Sequence, residues 1–425
     1  MKFPEINPIY SKFVKFPKII TDSRKACANS IFFSLKGDNF NGNHFAEKAI
    51  EEGCSFAVID EEKYYKSEKY ILVKECLKSL QELASHHRSQ LKIPFISITG
   101  SNGKTTTKEL VNAVLSKKYS VLATEGNLNN HIGVPLTILS VTSKIEIAII
   151  EMGANHVGEI KMLCEITRPD FGLITNIGSA HIGEFGSFEN IVKAKTEMYE
   201  YLKKKNGKIF INTDNELLVS KSDEIDKIYY GKSDASYCLC NPIEESSFLK
   251  IHFENEIIST QLMGTYNFEN VAAAICIGKY FGVETPQIKQ AMEEYIPSNN
   301  RSQLVKKEKS GNNVTADCYN ANPSSMEAAI NSSSAPVAIL GDMFELGNYS
   351  KEEHKRIFNL AEQKFHALIV VGQNFSEAAK GSKCKFFFTT DDAFDWLKKN
   401  QVITNSQILL KGSRGMKMEK LLEVL

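Results

Sequence analysis

The chain has 425 residues, and its 42% apolar and 24% charged content is that of an ordinary globular protein of about two to four domains. Lysine plus arginine balances aspartate plus glutamate at 51 each, so no global field draws it to nucleic acid or a lipid surface. No run approaches the roughly 20 apolar residues that span a bilayer, and residues 1–10 hold two prolines and lack the apolar core of a signal peptide.

Residues 1–88 read as a small α/β unit, with strands at 30–35, 55–59 and 70–73 and helices at 45–52 and 76–91, the second helix lying across the boundary. Two polar clusters, Thr21-Asp22-Ser23-Arg24 and the run from Lys36 through Asn41-Gly42-Asn43-His44, flank predicted strands. Plain turns and ligand-contact loops both look like this.

Residues 89–298 alternate strand with helix. Strands are predicted at 95–99, 121–124, 145–151, 171–176 and 208–212, which implies a mostly parallel sheet covered on both faces. The stretch 229–263 is richer in short strand-like runs and suggests an antiparallel edge. It holds Cys238 and Cys240, the one close pair among nine scattered cysteines, a pattern of reduced thiols in a cytoplasm. Helices at 267–281 and 286–295 close the unit, and the turn Pro297-Ser298-Asn299-Asn300 marks its end.

Residues 299–425 repeat the alternation, with strands at 337–341, 368–372, 385–388 and 407–411 and helices at 325–330, 353–365, 392–399 and 416–424. A second open, Rossmann-like α/β sheet is expected, with ligands beyond the carboxyl ends of its strands.

The chemistry begins at Ile96-Ser97-Ile98-Thr99-Gly100-Ser101-Asn102-Gly103-Lys104-Thr105-Thr106-Thr107, a β-branched run that ends in a glycine-bounded loop before a helical pattern at 108–117. Such a turn aims backbone N–H groups and a helix dipole at one point and suits phosphate. Lys104 would reach the β- and γ-phosphates and Thr105 would hold magnesium, although the general motif G-x-x-x-x-G-K-S/T is longer between its glycines.

Other polar groups follow strands. Glu151, directly after an apolar run, reads either as a solvated strand end or as a magnesium ligand. Ile174-Thr175-Asn176-Ile177-Gly178-Ser179-Ala180-His181 repeats the design, and beside Glu151 and the phosphate loop His181 reads as a metal ligand. In the helical pattern 188–202, Lys195 falls within the apolar stripe of Ile191, Ala194, Met198 and Leu202. An inward lysine either snorkels at the stripe's edge or is a buried functional group, paired or covalently modified. Asn267 is a plausible N-cap with Asn270 one turn on, and the pair suits capping or the reading of a base. Arg301 suits stacking on or bonding to a nucleotide. The run Asp317-Cys318-Tyr319-Asn320-Ala321-Asn322-Pro323-Ser324-Ser325-Met326 is dense in hydrogen-bonding groups, as a capped turn or a ligand loop would be.

Taken together these motifs resemble the Mur ligases, the ATP-dependent amide-bond formers of peptidoglycan precursor synthesis. Thr-Gly-Ser-Asn-Gly-Lys-Thr, Glu-Met-Gly-Ala-Asn, Asn-Ile-Gly-Ser-Ala-His, Ala-Lys-Thr-Glu, Asn-x-x-Asn, the arginine and Lys411-Gly412-Ser413-Arg414 run in the family's order along nearly the whole chain. The short phosphate loop is this family's form. Tyr319-Asn320-Ala321-Asn322-Pro323-x-Ser325-Met326 and Gly341-Asp342-Met343-x-Glu345-Leu346-Gly347 look like those members that join D-alanyl-D-alanine to UDP-N-acetylmuramoyl-tripeptide. The Asp-Asn-Pro-Arg motif of the ligase for the third residue is not found. Asn41-Gly42-Asn43-His44 departs from a commoner Asp-Gly-His, and Ala316 stands where a second acidic residue is often seen.

The resemblance implies three α/β domains: 1–88 for the UDP substrate, 89–298 for ATP and 299–425 at the carboxyl end. It implies that Gly100, Ser101, Asn102, Gly103, Lys104, Thr105 and Thr106 cradle ATP phosphates and a first Mg2+. Glu151 would bridge to a second Mg2+ on His181, helped by a carbamylated Lys195. Asn267, Asn270, Arg301 and Asp317 would hold adenine and ribose. Ser23, Arg24, Asn41 and His44 would hold the uridine end, and Tyr319, Asn320, Asn322, Lys411, Ser413 and Arg414 the substrates at the third domain. The implied chemistry is transfer of the γ-phosphoryl group to the tripeptide carboxylate and capture of the acyl phosphate by the dipeptide amine, under a closing third domain. A cytoplasmic monomer without nucleic-acid or membrane partners is expected. Neighbouring readings are another Mur ligase, a folylpolyglutamate synthetase, or a nucleotide-dependent switch that hydrolyses ATP without ligating.

Overall fold

The computed structural model describes residues 6–243, 248–297 and 300–425. Of the boundary turn at 297–300, Ser298 and Asn299 lie outside the described residues, as do residues 1–5 of the amino-terminal stretch.

The chain opens with α1 (Ile6–Lys15) and β1 (Lys18–Ile20), which the hydrophobic pattern had not marked. β2 (Ser30–Phe33) leads into a small hairpin, β3 (Lys36–Gly37) and β4 (Phe40–Asn41), then α2 (Ala46–Glu51), β5 (Phe56–Ile59), β6 (Tyr70–Leu72) and α3 (Cys76–Gln90). The sheet is parallel in the order β1-β2-β5-β6. α3 belongs to the packing of the next unit as well. Arg88, buried on α3, donates to the carbonyls of Thr167 and Arg168 and pairs with Asp170 at 2.9 Å.

The central unit runs β7 (Phe95–Thr99), α4 (Lys104–Leu115), β8 (Val121–Ala123), α5 (Gly133–Leu139), β9 (Ile147–Glu151), α6 (Glu159–Thr167), β10 (Phe171–Ile174), α7 (Ile182–Phe185), α8 (Phe188–Lys205), β11 (Lys208–Asn212) and α9 (Glu216–Ser220). It ends with β12 (Asp226–Gly231), β13 (Cys238–Ile243), β14 (Phe248–Phe253), β15 (Glu256–Met263), α10 (Phe268–Tyr280) and α11 (Thr285–Glu294). Nine strands lie in the order β15-β14-β13-β12-β11-β10-β7-β9-β8. Only the edge formed by β13, β14 and β15 is antiparallel, within the stretch where short runs suggested it. β7 and β9 are buried at every position, which is why their sequences read as unbroken apolar runs. After β9 the chain crosses β7 to form β10, and this reversal of strand order opens a crevice at the carboxyl ends of β7, β9 and β10. α4 begins at Lys104 and not at 108, because the threonines that look like loop form its first turn.

The last unit contains β16 (Gln303–Lys307), β17 (Asn312–Asp317), α12 (Pro323–Ser332), β18 (Val337–Gly341), α13 (Ser350–Lys364), β19 (Ala367–Val371), α14 (Gln373–Ala378), β20 (Lys385–Phe387), α15 (Thr390–Asn400) and β21 (Gln407–Lys411). Its sheet, β16-β17-β21-β18-β19-β20, is parallel except at β16. The helix expected at 416–424 is two 3-10 turns, Arg414–Met416 and Met418–Glu423. Lys417 between them has φ +54, which breaks an α-helix, and Met418 and Leu421 still reach the core. Among the described residues no helix is long and apolar enough to cross a membrane.

Candidate active site

The carboxyl ends of β7, β9 and β10 face those of β17, β18 and β21 across one cavity of about 1070 Å³. Its floor is the phosphate loop. A Cβ at Gly100 (φ +144) would stand 2.0 Å from Thr175 Oγ1, and one at Gly103 (φ +78) 2.3 Å from Asn270 Oδ1, so the tight turn admits only glycine. Ser101 N and Asn102 N are held by Asn176 O and Oδ1 at 2.9 and 3.0 Å. The first helical bond of α4 runs from Thr107 N to Gly103 O at 2.8 Å, which leaves the N–H groups of the first turn, Lys104 to Thr106, for a ligand. Lys104 Nζ lies on the carbonyls of Gly100 and Ser101 at 2.7 and 3.2 Å. Its surroundings desolvate the ammonium and lower its pKa, with Arg301 acting the same way and Glu151 against.

Beside the loop, Glu151 is 1% exposed. Its Oε1 accepts from Thr105 Oγ1 at 3.1 Å and from Asn129 Nδ2 at 2.7 Å, while its buried Oε2 has no hydrogen-bond partner. An orphaned carboxylate oxygen carries a desolvation cost that a divalent cation removes, so the donor set fits magnesium. Among the described residues no three His, Cys, Asp or Glu side chains are grouped to hold a metal. A cation here would have Glu151 and the Thr105 hydroxyl as its protein ligands and would need the rest of its shell from bound substrate or water. Asn129 was not singled out from sequence. Its only signal is the polar run Asn127-Leu128-Asn129-Asn130-His131 before α5.

His181 lines the same cavity with φ +54. Its Nδ1 is 2.6 Å from Glu345 Oε2 of the last unit, a close polar contact without the alignment of a hydrogen bond. Lys195 is 2% exposed on α8, behind the cavity wall and not in it. Its Nζ donates to Ala154 O at 3.3 Å and lies 5.5 Å from the Phe185 ring centroid. Burial lowers its pKa to about 7, and Lys104 adds to the effect. With the side chain 2% exposed and its ammonium on a buried carbonyl, Lys195 does not snorkel to solvent.

The asparagine pair is built differently from a cap. Asn267 closes the 3-10 turn Thr265–Asn267, makes no side-chain cap and donates to Met263 O at 2.8 Å, while its Oδ1 accepts from Asn270 Nδ2 at 3.0 Å. Asn270 Oδ1 accepts from Thr107 at 3.0 Å, so the pair braces the phosphate loop from behind. From the last unit, Arg301 stacks on Tyr319 at 3.5 Å and Arg414 lies 5.1 Å from the same ring. Asp317 is neutralised by the buried Lys411 at 2.5 Å, and Lys411 also donates to Asn320 O at 3.1 Å. Asn322 caps α12 through a box with Ser325 and donates to Asn102 Oδ1 at 2.8 Å, so the last unit touches the phosphate loop. Ser413 does not line the cavity; its hydroxyl accepts from Phe344 N at 2.9 Å and pins two loops together.

Ser23, Arg24, Asn41 and His44 lie outside this cavity, in the first unit. Arg24 pairs with Asp22, Asn41 accepts from Asn43 N and donates to Glu61, and His44 packs on Tyr64 with ring centroids 5.5 Å apart.

Residues 98–278 match the family description "Mur ligase middle domain", and residues 300–414 match "Mur ligase, glutamate ligase domain". The chain is 34% identical to the UDP-N-acetylmuramoyl-tripeptide–D-alanyl-D-alanine ligase of Bacillus subtilis, over 98% of this chain and 94% of the relative. In structure it is similar to MurF from Acinetobacter baumannii, with TM-score 0.85 and 30% identity, covering 96% of this chain and 92% of that one. It is also similar to the MurF ligase from Thermotoga maritima in complex with ADP, with TM-score 0.86 and 25% identity over 97% of each chain.

Proposed function

The chain belongs to the Mur ligase family, and from that premise we propose how its cavity joins D-alanyl-D-alanine to UDP-N-acetylmuramoyl-tripeptide at the expense of ATP. One observation carries the reading: a phosphate cradle and a buried carboxylate with one unpartnered oxygen open onto a cavity walled by a second α/β sheet. A carboxylate is a poor electrophile, so ligation needs activation. The γ-phosphoryl group of ATP moves to the terminal carboxylate of the tripeptide, the bond from phosphorus to the β–γ bridging oxygen breaks, and ADP is left. The dipeptide amine then attacks the acyl carbon, loses a proton and expels phosphate.

In our reading the free N–H groups at the start of α4 and the Lys104 ammonium orient the phosphates and offset charge developing on the transferred group. Thr105 and Glu151 would hold one Mg2+, and His181 would hold a second, aided by a carbamylated Lys195 reaching from behind the cavity wall; such ions would neutralise phosphate charge. The depressed pKa of Lys195 supports carbamylation, since only the neutral amine adds CO2, giving a carbamate and releasing one proton. Arg301, Asp317, Asn267 and Asn270 serve the adenine and ribose side. Tyr319, Asn320, Asn322, Lys411 and Arg414 serve the substrates at the last unit, and Ser413, outside the cavity, positions the loop that carries Arg414. Ser23, Arg24, Asn41 and His44, beyond the cavity, serve the uridine end of a long substrate. We divide the chain accordingly at 1–88, 89–298 and 299–425. Because one chain supplies every wall of the cavity, we infer a monomer, which sedimentation equilibrium checks.

The test is a reaction with UDP-N-acetylmuramoyl-tripeptide, ATP and one amine at a time. D-alanyl-D-alanine is expected to give a product heavier by one dipeptide less water, with stoichiometric phosphate. Stimulation by glutamate or a diamino acid instead, or phosphate release independent of any amine, contradicts the reading.

A further inference from the structure

A dipeptide is a zwitterion, and the proposed reaction requires its ammonium end to lie at the seam between the two units. The cavity offers two carboxylates from the last unit, Asp317 and Glu345. Asp317 already has Lys411 at 2.5 Å. Glu345 has no lysine or arginine partner among the described residues; its close polar contact is the His181 imidazole across the seam. The loop that presents it is fixed from both sides. Glu345 has φ +64, a conformation a side-chain-bearing residue adopts only under constraint, and its carbonyl accepts from Gly183 N at 3.1 Å.

The opposite charge stands on the adjoining loop. β18 and β21 are neighbours, and the loops at their carboxyl ends are tied by Phe344 N to Ser413 Oγ at 2.9 Å and Ser413 N to Asp342 O at 3.2 Å. Arg414, next to Ser413, lines the cavity without a carboxylate partner among the described residues. One loop thus carries a carboxylate with no lysine or arginine partner, and its neighbour a guanidinium with no carboxylate partner, among the described residues.

Resting on the ligase reading above, we propose that Glu345 holds the ammonium group of the incoming dipeptide while Arg414 holds its carboxylate, which turns the amine toward the His181 side of the cavity. Glu345 is then a determinant of nucleophile binding, and the ammonium replaces the imidazole as its partner.

The test is Glu345→Gln, assayed for each substrate separately. The KM for D-alanyl-D-alanine is expected to rise about tenfold to a hundredfold, the usual effect of losing a charge-assisted hydrogen bond, with the KM for ATP and the nucleotide substrate unchanged. Trapping of the acyl phosphate by hydroxylamine, a small neutral nucleophile, should proceed as in the unaltered enzyme. An unchanged dipeptide KM overturns the proposal, and so does an equal loss for all three substrates, which would assign Glu345 to holding the units together. A second measurement needs no variant: D-lactoyl-D-alanine, with hydroxyl in place of ammonium, should compete far more weakly than the dipeptide binds, and equal affinity overturns the proposal. Failure of hydroxylamine trapping in the unaltered enzyme would instead strike the ligase reading itself.

Discussion

Glu151 and Lys195 show how single residues carry the site. Both are ionisable, both are at most 2% exposed, and among the described residues each lacks the ion-pair partner that burial normally demands. Lys195 was legible in sequence because the 3.6-residue period placed it inside an apolar stripe. Asn129, which fixes one oxygen of Glu151 and leaves the other free, was not, because an asparagine in a polar loop has no periodic signature. His354, at 0% exposure, shapes the loop that bears Glu345: its Nδ1 meets Ser350 O at 2.7 Å and its Nε2 accepts from Met343 N at 3.0 Å. Those roles require the neutral ring, and burial holds its pKa below the usual value, against the pull of Asp342. The unfolded chain therefore binds a proton that the folded chain refuses. Stability from this group is complete above about pH 6.5 and is lost as pH falls from there toward the depressed value. Urea unfolding between about pH 5 and 7.5 should show that slope, and His354→Gln should flatten it.

Among the elements, the buried parallel strands were the most legible, since covering both faces leaves β7, β9 and β18 as unbroken apolar runs. α1 was missed because its buried side is only Ile9 and Phe13, too few to show a period. The carboxyl-terminal turns were misread as an α-helix because Met418 and Leu421 repeat at a spacing common to both helix types. The start of α4 is the element on which function rests most heavily. Gly103→Ala would force a Cβ into Asn270 Oδ1 and strain a left-handed backbone. We expect about 1–2 kcal/mol of lost stability and a KM for ATP raised at least about tenfold, measured by urea unfolding and steady-state kinetics. An unchanged KM would mean that the turn does not shape the phosphate site.

At the scale of the molecule, the two larger sheets point their carboxyl ends at each other, and the seam is stitched by Asn322 on Asn102, Glu345 on His181, and Tyr349 on the Gly186 carbonyl. Sequence alone indicated each sheet but not their mutual placement, since the residues meeting at the seam lie far apart in the chain and are polar. The placement bears on how a hydrolysable intermediate would survive: with walls from both units, the cavity would hold little free water once its substrates fill it. The central claim is that the tripeptide carboxylate becomes an acyl phosphate. With 18O placed in that carboxylate, the account predicts one labelled oxygen in the released orthophosphate for each dipeptide joined. Orthophosphate free of label, with the pentapeptide product still formed, would contradict it.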